Sequence, residues 1–260
     1  MAATDLDLTA LLPDIRSALD QAASLVDELI ASVEAVLASL PDTDGTGARA
    51  GLAELRRRFD DAVGRLEHLL ATAGDTTVLR RTGAAWVGVG ATTSRLAGVA
   101  ALNMTRVDDH WTGLAADAYR NTLPAQQAAL SAITFTSHEV DATLNDLASA
   151  IVRFWVSIGT ACVSLVVTLA GALGSAATVV GAPLATGIAL AGVGALASAG
   201  TAAIANLTDI TTGAAARSAE LERRLATDTA FPFGAWPRST TEVSPDASIT
   251  DGDGSDWHLR

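Results

Sequence analysis

The fold is decided by residues 154–208, which read FWVSIGTACVSLVVTLAGALGSAATVVGAPLATGIALAGVGALASAGTAAIANLT. None of these 55 residues is charged, and a predicted turn at Gly181, Ala182 and Pro183 leaves 27 of them before it and 25 after it. A helix of about 20 residues crosses the hydrocarbon core of a bilayer, so each half is long enough to do so. A helix that is apolar all round is otherwise buried in protein. The segment therefore predicts an apolar helical hairpin that either enters a membrane or is buried against a partner.

The first 75 residues predict a hairpin of two long amphipathic helices. Apolar side chains recur at alternating intervals of three and four, which keeps one face of a helix apolar. Pro41 and the polar run that ends at Gly47 interrupt the pattern, so we expect two antiparallel helices within residues 6–72. This N-terminal hairpin is also the main acidic surface, with 14 acidic residues and 6 Arg. The apolar positions of its first helix are Leu12, Ile15, Leu19, Ala22, Val26, Leu29, Val33, Val36 and Leu40.

Residues 76–153 predict a second hairpin, whose two helices differ in composition. The third helix, from about residue 76 to 103, contains four glycines, and each interior glycine costs about 1 kcal/mol relative to alanine. We therefore expect this helix to be either locally broken or packed closely against a neighbour. The fourth helix, over 114–152, repeats the three-and-four spacing, and Pro124 predicts a kink or a restart. The weaker stripe of the third helix is Trp86, Val89, Leu96, Val99 and Ala100.

Beyond the apolar hairpin, residues 209–227 predict a short amphipathic helix. Residues 228–260 are rich in Pro, Ser, Thr and Asp, a composition typical of a disordered tail. The predicted fold class is therefore all-α. It consists of antiparallel long-helix hairpins of the four-helix-bundle or coiled-coil type, an apolar helical hairpin that is a possible transmembrane element, and a disordered C-terminal tail.

The charge of the chain argues against a nucleic-acid partner. Its formal net charge is −12, whereas binding to phosphates needs clustered cations. The one dense basic run, Arg56 to Arg58, is surrounded by acids and predicts a solvated helix face. The N-terminus lacks the basic start and apolar run of a secretory signal peptide, so any export would use another route. The single cysteine, Cys162, predicts a small buried apolar residue.

No pattern in the sequence predicts catalysis. The four histidines lie in different segments without the short spacing of metal ligands, and no glycine-rich phosphate loop or nucleophile elbow is present. We therefore expect a protein that is not an enzyme, with no catalytic residues, no metal, no cofactor and no small-molecule substrate.

One motif lies between the third and fourth predicted helices. Residues 110–119 read HWTGLAADAY, in which Gly113 lets the chain reverse and Trp111 covers the hairpin end with a large apolar ring. Three alanines and an aromatic follow, and small side chains there let the helices approach closely; they are Ala115, Ala116, Ala118 and Tyr119. The motif and its setting resemble the WXG family of type VII secretion substrates, as a longer variant of the actinobacterial kind. The resemblance covers roughly residues 78–153.

The resemblance implies a helical hairpin that pairs with a second hairpin, either in a WXG-like partner, in another secretion component or in the chain itself. We expect the N-terminal hairpin to supply that second hairpin, with the first helix alongside the helix over 114–152. The sequence departs from the family in one respect. Family members or their partners often carry Tyr-x-x-x-Asp or Tyr-x-x-x-Glu as an export signal, but Leu123 stands four residues after the only tyrosine, Tyr119.

The leading hypothesis is a WXG-like secretion-associated protein that acts through helical-bundle pairing and through membrane contact by its apolar hairpin. It would be found at a bacterial membrane or be secreted without a signal peptide. Two alternatives stay open. One is a resident membrane scaffold with a cytoplasmic coiled-coil domain. The other is a soluble, cytoplasmic bundle in which residues 154–208 form the buried core.

Overall fold

The structure is a computed structural model that describes residues 8–39, 46–110, 113–178, 180–227, 230–231 and 234–239. Within these ranges the regular elements are five α-helices: α1 (Leu8–Leu37), α2 (Thr46–Ala71), α3 (Thr76–His110), α4 (Leu114–Ala176) and α5 (Gly181–Thr227). The predicted all-α fold class is confirmed.

Two predicted helix boundaries are missing from the structure. The helix expected over 114–152 continues through Pro124 and through residues 153 and 154 to Ala176, so that α4 is 63 residues long. The short helix expected over 209–227 is the final part of α5. A change between polar and apolar composition is not a stop signal, and no glycine, proline or capping residue stands at 153–154. At the second boundary Thr208, Asp209 and Gly213 are present, but α5 continues through them.

The described residues form two compact units, and the two longest helices, α4 and α5, each contribute to both. Unit 1 contains Met1–Thr76 and Ala148–Thr211, and unit 2 contains Thr77–Leu147 and Thr212–Arg260. Unit 1 therefore combines α1 and α2 with the second part of α4 and the first part of α5. Unit 2 combines α3 with the first part of α4 and the last part of α5.

The core of unit 1 is built from the stripe that the sequence predicts for α1. Ile15, Leu29 and Val33 are among its fully buried side chains, and the α2 residues Leu55 and Phe59 complete one side of the core. The opposite side comes from the apolar hairpin. Its buried members on α4 are Phe154, Trp155, Ile158, Cys162, Leu165, Leu169, Ala172 and Ala176, and those on α5 are Ala182, Ala185, Ala189, Val193, Leu196 and Ala203. Cys162 is thus buried as predicted.

The partner of the N-terminal hairpin differs from the expected one. The sequence pattern suggested the helix over 114–152, but the observed core pairs α1 and α2 with residues 154–203. A heptad stripe specifies that a helix buries one face and does not specify against which other stripe. The apolar hairpin is the larger hydrophobic surface, so its burial accounts for this choice.

Close contacts define the helix directions in unit 1. Ile15 lies against Gly159, and Val36 shares a surface cavity with Ala177, so α1 and α4 run parallel. Gly51 lies against Thr186, and residues further along both helices line one groove, so α2 and α5 also run parallel. Each hairpin is antiparallel within itself. Unit 1 is therefore two hairpins laid side by side, with both tips at the same end.

The other end of unit 1 is held by Trp155. Its indole Nε1 donates a hydrogen bond of 3.2 Å to the carbonyl of Ala73, just after α2 ends, and its ring meets that of Phe154 edge to face. Trp155 is 2% exposed, so this bond satisfies a donor that would otherwise be buried without a partner. The pair ties the start of the apolar hairpin to the base of the N-terminal hairpin.

In unit 2, α3 is continuous, and two of its four glycines pack closely on α4. A Cβ atom on Gly83 would lie 2.5 Å from Asp141 Oδ1, and one on Gly90 would lie 3.2 Å from Ser137 Cβ, whereas Gly88 and Gly98 have no such neighbour within 4 Å. Thr93 and Thr134 join the two helices by a hydrogen bond of 2.8 Å between their hydroxyls. A side chain at position 83 would displace the Asp141 carboxylate, so glycine favours the close approach there.

The end of α5 and part of the predicted tail also lie against α4 in unit 2. Arg217 forms an ion pair of 2.9 Å with Asp146, and the Arg224 guanidinium lies 5.7 Å from the centre of the Phe135 ring. Further along, Gln126 Nε2 donates a hydrogen bond of 3.0 Å to the carbonyl of Pro237, which is buried. Residues 240–260 of the predicted tail lie outside the described residues.

Candidate functional site

The apolar hairpin leaves one side uncovered, which we call the outer apolar face. On α4 it includes Val163 and Val167, which are 58% and 67% exposed, and on α5 it includes Leu184 and Ile188. The buried side of the same helices covers the core of unit 1. Large apolar side chains on a contiguous charge-free surface are typical of a surface that binds a membrane or another protein.

Both helices of this hairpin satisfy the length and composition of a membrane span. An 18-residue window of α4 has a mean hydropathy of 2.0, and one of α5 has 1.8. Only 33% and 22% of these windows are buried in the structure. A core helix of a soluble protein is mostly buried, so the exposure of these windows is the feature to explain.

Five hydroxyl side chains of the apolar hairpin bond within their own helices. The hydroxyl of Thr160 donates to the carbonyl of Val156 at 2.9 Å, and that of Thr168 donates to the carbonyl of Ser164 at 2.8 Å. On α5, Ser198, Thr201 and Thr208 bond in the same way to the carbonyl four residues earlier. A hydroxyl that is satisfied by its own helix needs no water, so it is compatible with a hydrocarbon surrounding.

The tip of the apolar hairpin lies slightly earlier than the sequence suggests. The chain reverses between the end of α4 at Ala176 and the start of α5 at Gly181, and Gly181, Ala182 and Pro183 form the first turn of α5. Thr178 caps that helix, because its hydroxyl accepts a hydrogen bond of 2.9 Å from the Gly181 amide. A proline fits in a first turn, where the amide hydrogen has no partner within the helix.

Gly181 is fixed by lack of space, since a Cβ atom there would collide with the carbonyl oxygen of Ser175. Val180 beside it is 87% exposed. The tip is therefore tightly built, charge-free and open to its surroundings.

A second exposed surface lies on α3 and is called the α3 stripe here. It consists of Trp86, Val89, Leu96 and Val99, which are between 38% and 48% exposed. These are four of the five residues that the sequence identified as the apolar face of the third helix, and the fifth, Ala100, is partly buried. Because α3 packs on α4 through Gly83 and Gly90, these larger apolar side chains stay exposed. The α3 stripe therefore has no cover within the described part of unit 2.

The Trp-x-Gly motif is only partly described. Trp111 lies outside the described residues. Gly113 lies between α3 and α4 with φ of 111°, a conformation that residues with a Cβ rarely adopt, and its carbonyl accepts a hydrogen bond of 3.0 Å from the amide of Asp117. Of the residues that follow, Ala116 is fully buried, and Ala115, Ala118 and Tyr119 are partly buried.

The basic run on α2 is a solvated face, as its acidic surroundings indicate. Arg56 pairs with Asp27 and with Asp60, and Arg57 and Arg58 both bond to Glu54. The hydrogen bonds from Arg57 and Arg58 lower the pKa of Glu54 to about 2. These groups are well exposed, so the pairs contribute little to the free energy of folding.

Sequence reasoning missed a groove that lies beside this run, between α2 and α5. Its volume is about 290 Å³, and Arg57, Arg58 and Arg65 line it from α2. The spacing of seven between Arg58 and Arg65 places both on one side of a helix, and this signal was present in the sequence. The groove itself depends on the register of α2 against α5, which the sequence does not reveal.

Within the described residues, no group of three or more His, Cys, Asp or Glu side chains is placed to hold a metal ion. The expectations of no metal, no cofactor and no catalytic residues stay predictions. Among the described residues, the candidate binding surfaces are the outer apolar face, the α3 stripe and the groove between α2 and α5.

Comparison with known proteins finds no match: no protein-family model, no curated protein and no solved structure matches the chain.

Proposed function

We propose that this chain is a non-enzymatic, WXG-like protein associated with type VII secretion, which contacts a membrane through its apolar hairpin and pairs with a helical partner. The observation that carries the proposal is the outer apolar face, where Val163, Val167 and Leu184 are each about 60% exposed in a segment without charge.

Membrane contact is supported by the energetics of this face. Full burial of a valine or leucine side chain contributes about 1.5–3 kcal/mol, so moving the uncovered parts of these three side chains into hydrocarbon contributes roughly 3–5 kcal/mol. No charged group opposes the transfer, and the serine and threonine hydroxyls named above already have partners. Covering the other side of the hairpin with α1 and α2 keeps the segment soluble until it reaches a membrane.

Helical pairing is supported by the α3 stripe. Trp86 is the largest side chain of the stripe, and tryptophans at the centre of an interface contribute strongly to binding. The stripe runs along one side of the long helix α3, and such a surface suits another helix or a helical hairpin as the partner. This pairing would place unit 2 against a WXG-like protein, another secretion component or a second copy of the chain.

The experiment that tests the proposal is fractionation of the native host into carbonate-washed membranes, cytosol and culture medium, each probed for the chain. We expect recovery in the washed membranes, in the medium, or in both. Recovery in the medium specifically supports export, whereas recovery in the washed membranes without any in the medium supports the resident scaffold. Recovery in the cytosol alone would contradict membrane contact and export together.

One observation favours a second candidate, the soluble bundle. The inner sides of α4 and α5 pack fully on α1 and α2 through residues such as Ile158 and Leu169, both of which are 0% exposed. If the chain is a soluble bundle, a protein partner and not lipid covers the outer apolar face. Purified chain that stays monodisperse and does not bind vesicles of any composition would support this candidate.

A further inference from the structure

The groove between α2 and α5 has an apolar floor and a basic rim. Leu66, Val193 and Leu196, each at most 5% exposed, form the floor. On the α5 side the wall is low, because Gly194, Ala197 and Gly200 carry at most one side-chain carbon. On the α2 side the rim contains three arginines, Arg57, Arg58 and Arg65, and one acid, Asp61, which pairs with Arg57.

Two of these arginines have hydrogen-bonding capacity left. Arg65 forms no ion pair with any described residue, and Arg58 uses only its Nε to bond Glu54, at 2.5 Å. Arg57 is occupied by Glu54 and Asp61. A guanidinium has five N–H donors in a flat fork that matches the oxygens of a phosphate. Arg58 and Arg65 lie seven residues apart, which is about 10 Å along the helix.

One apolar side chain of the groove is open to solvent, since Ile204 is 45% exposed. A molecule in the groove can therefore place an apolar chain along the floor and extend past Ile204. An arginine beside such a surface can lay its aliphatic stem on it and keep its charged end in water.

We propose that this groove binds an anionic phospholipid, with an acyl chain on the floor formed by Leu66, Val193 and Leu196 and the phosphate held by Arg58 and Arg65. The inference rests on the proposed membrane function and specifies the lipid class. Charge complementarity identifies the occupant: Arg58 and Arg65 supply local positive charge for a phosphate in a chain whose net charge of −12 otherwise repels an anionic surface.

The test measures binding of the full chain to two kinds of vesicle by flotation. One is pure phosphatidylcholine, and the other contains about one third phosphatidylglycerol. The test variant is Arg58→Gln with Arg65→Gln. The matched control is Arg16→Gln with Arg49→Gln, since both of these arginines are on unit 1, lie outside the groove and form no ion pair with a described residue. Both double variants change the net charge equally.

We expect the wild type to bind the anionic vesicles more tightly. The groove variant should lose roughly 30-fold in affinity for them, at about fivefold for each arginine near an anionic surface, and should keep its affinity for the neutral vesicles. The control variant should bind both as the wild type does. Equal losses in the two variants, or a wild type that binds both vesicles alike, would overturn the lipid site and leave membrane contact standing. A wild type that binds neither vesicle would overturn both.

Discussion

Placing two aspartates on the outer apolar face separates its role in folding from its role at a membrane. In Val163→Asp with Val167→Asp, both positions are more than half exposed, so solvent already surrounds much of each side chain. Exposed substitutions of this kind change stability by about 0.5 kcal/mol each, and we expect the free energy of unfolding to fall by no more than about 1 kcal/mol.

The same variant should lose membrane binding. The two valines supply about two thirds of the roughly 3–5 kcal/mol estimated above for three side chains, so replacing them removes about 2–3 kcal/mol of the free energy of membrane contact before the cost of the new charges. Since about 1.4 kcal/mol corresponds to a factor of ten, the partition coefficient into neutral vesicles should fall by at least about thirtyfold. A control with Ser17→Asp and Ser24→Asp adds the same charge on the exposed side of α1 and should bind as the wild type does.

Vesicle flotation measures membrane binding, and urea unfolding followed by circular dichroism measures the free energy of unfolding. We expect a large loss of membrane binding and a small change in the free energy of unfolding. An aspartate variant that floats with neutral vesicles as well as the wild type would refute membrane contact through this face. A variant that unfolds several kcal/mol more easily would show instead that Val163 and Val167 are covered in the folded chain.

Three further predictions concern other parts of the structure. Trp155→Phe removes the donor to the Ala73 carbonyl and should lower the free energy of unfolding by about 1–3 kcal/mol in urea titrations, and an unchanged value would mean that water replaces the bond. Gly181→Ala forces a Cβ against the preceding turn and should destabilise unit 1 by about 1–3 kcal/mol in thermal unfolding, so an unaltered midpoint would contradict the tight tip. Trp86→Ser with Leu96→Ser should leave unfolding nearly unchanged but abolish any self-association or co-purification with a helical partner, and retained association would exclude the α3 stripe as the interface.

The helices themselves were predictable because their signals are local. The three-and-four spacing of α1 predicted the side that is buried, and Ile15, Leu19, Val26, Leu29 and Val33 all lie in the core. The stop after α1 and the hairpin form of residues 154–208 followed from proline, glycine and polar runs. These signals act within a few residues of the chain and need no knowledge of tertiary structure.

The pairing of the helices was not predictable from the same signals. The stripe of α1 would suit several partners, and the observed partner is the apolar hairpin because it offers the most hydrophobic area. The groove between α2 and α5 depends on the register that brings Gly51 against Thr186. Periodicity identifies a face of one helix, whereas a site between two helices depends on how far each is shifted along the other.

The orientation of α3 shows a related limit. Its apolar stripe was correctly located, but an apolar face is not always a buried face. In the structure the small side of the helix lies against α4 and the stripe is exposed. The sequence contained both faces, and the glycines decided which one could approach a neighbour.

In α3 small residues lie against α4 and large apolar residues are exposed, and this arrangement affects which substitutions the helix tolerates. In an ordinary helix of a soluble protein, enlarging an outward residue is harmless and trimming an inward one is damaging. Here the inward positions Gly83 and Gly90 leave no volume to fill, and the outward positions carry the bulk. A saturation scan of the isolated chain should therefore find α3 sensitive to added volume on its inner side and nearly indifferent to lost volume on its outer side. If the same scan is repeated in the host under selection for partner binding, the exposed side of α3 should become sensitive as well. The positions that are sensitive only in the host would then mark the surface of α3 that the partner covers.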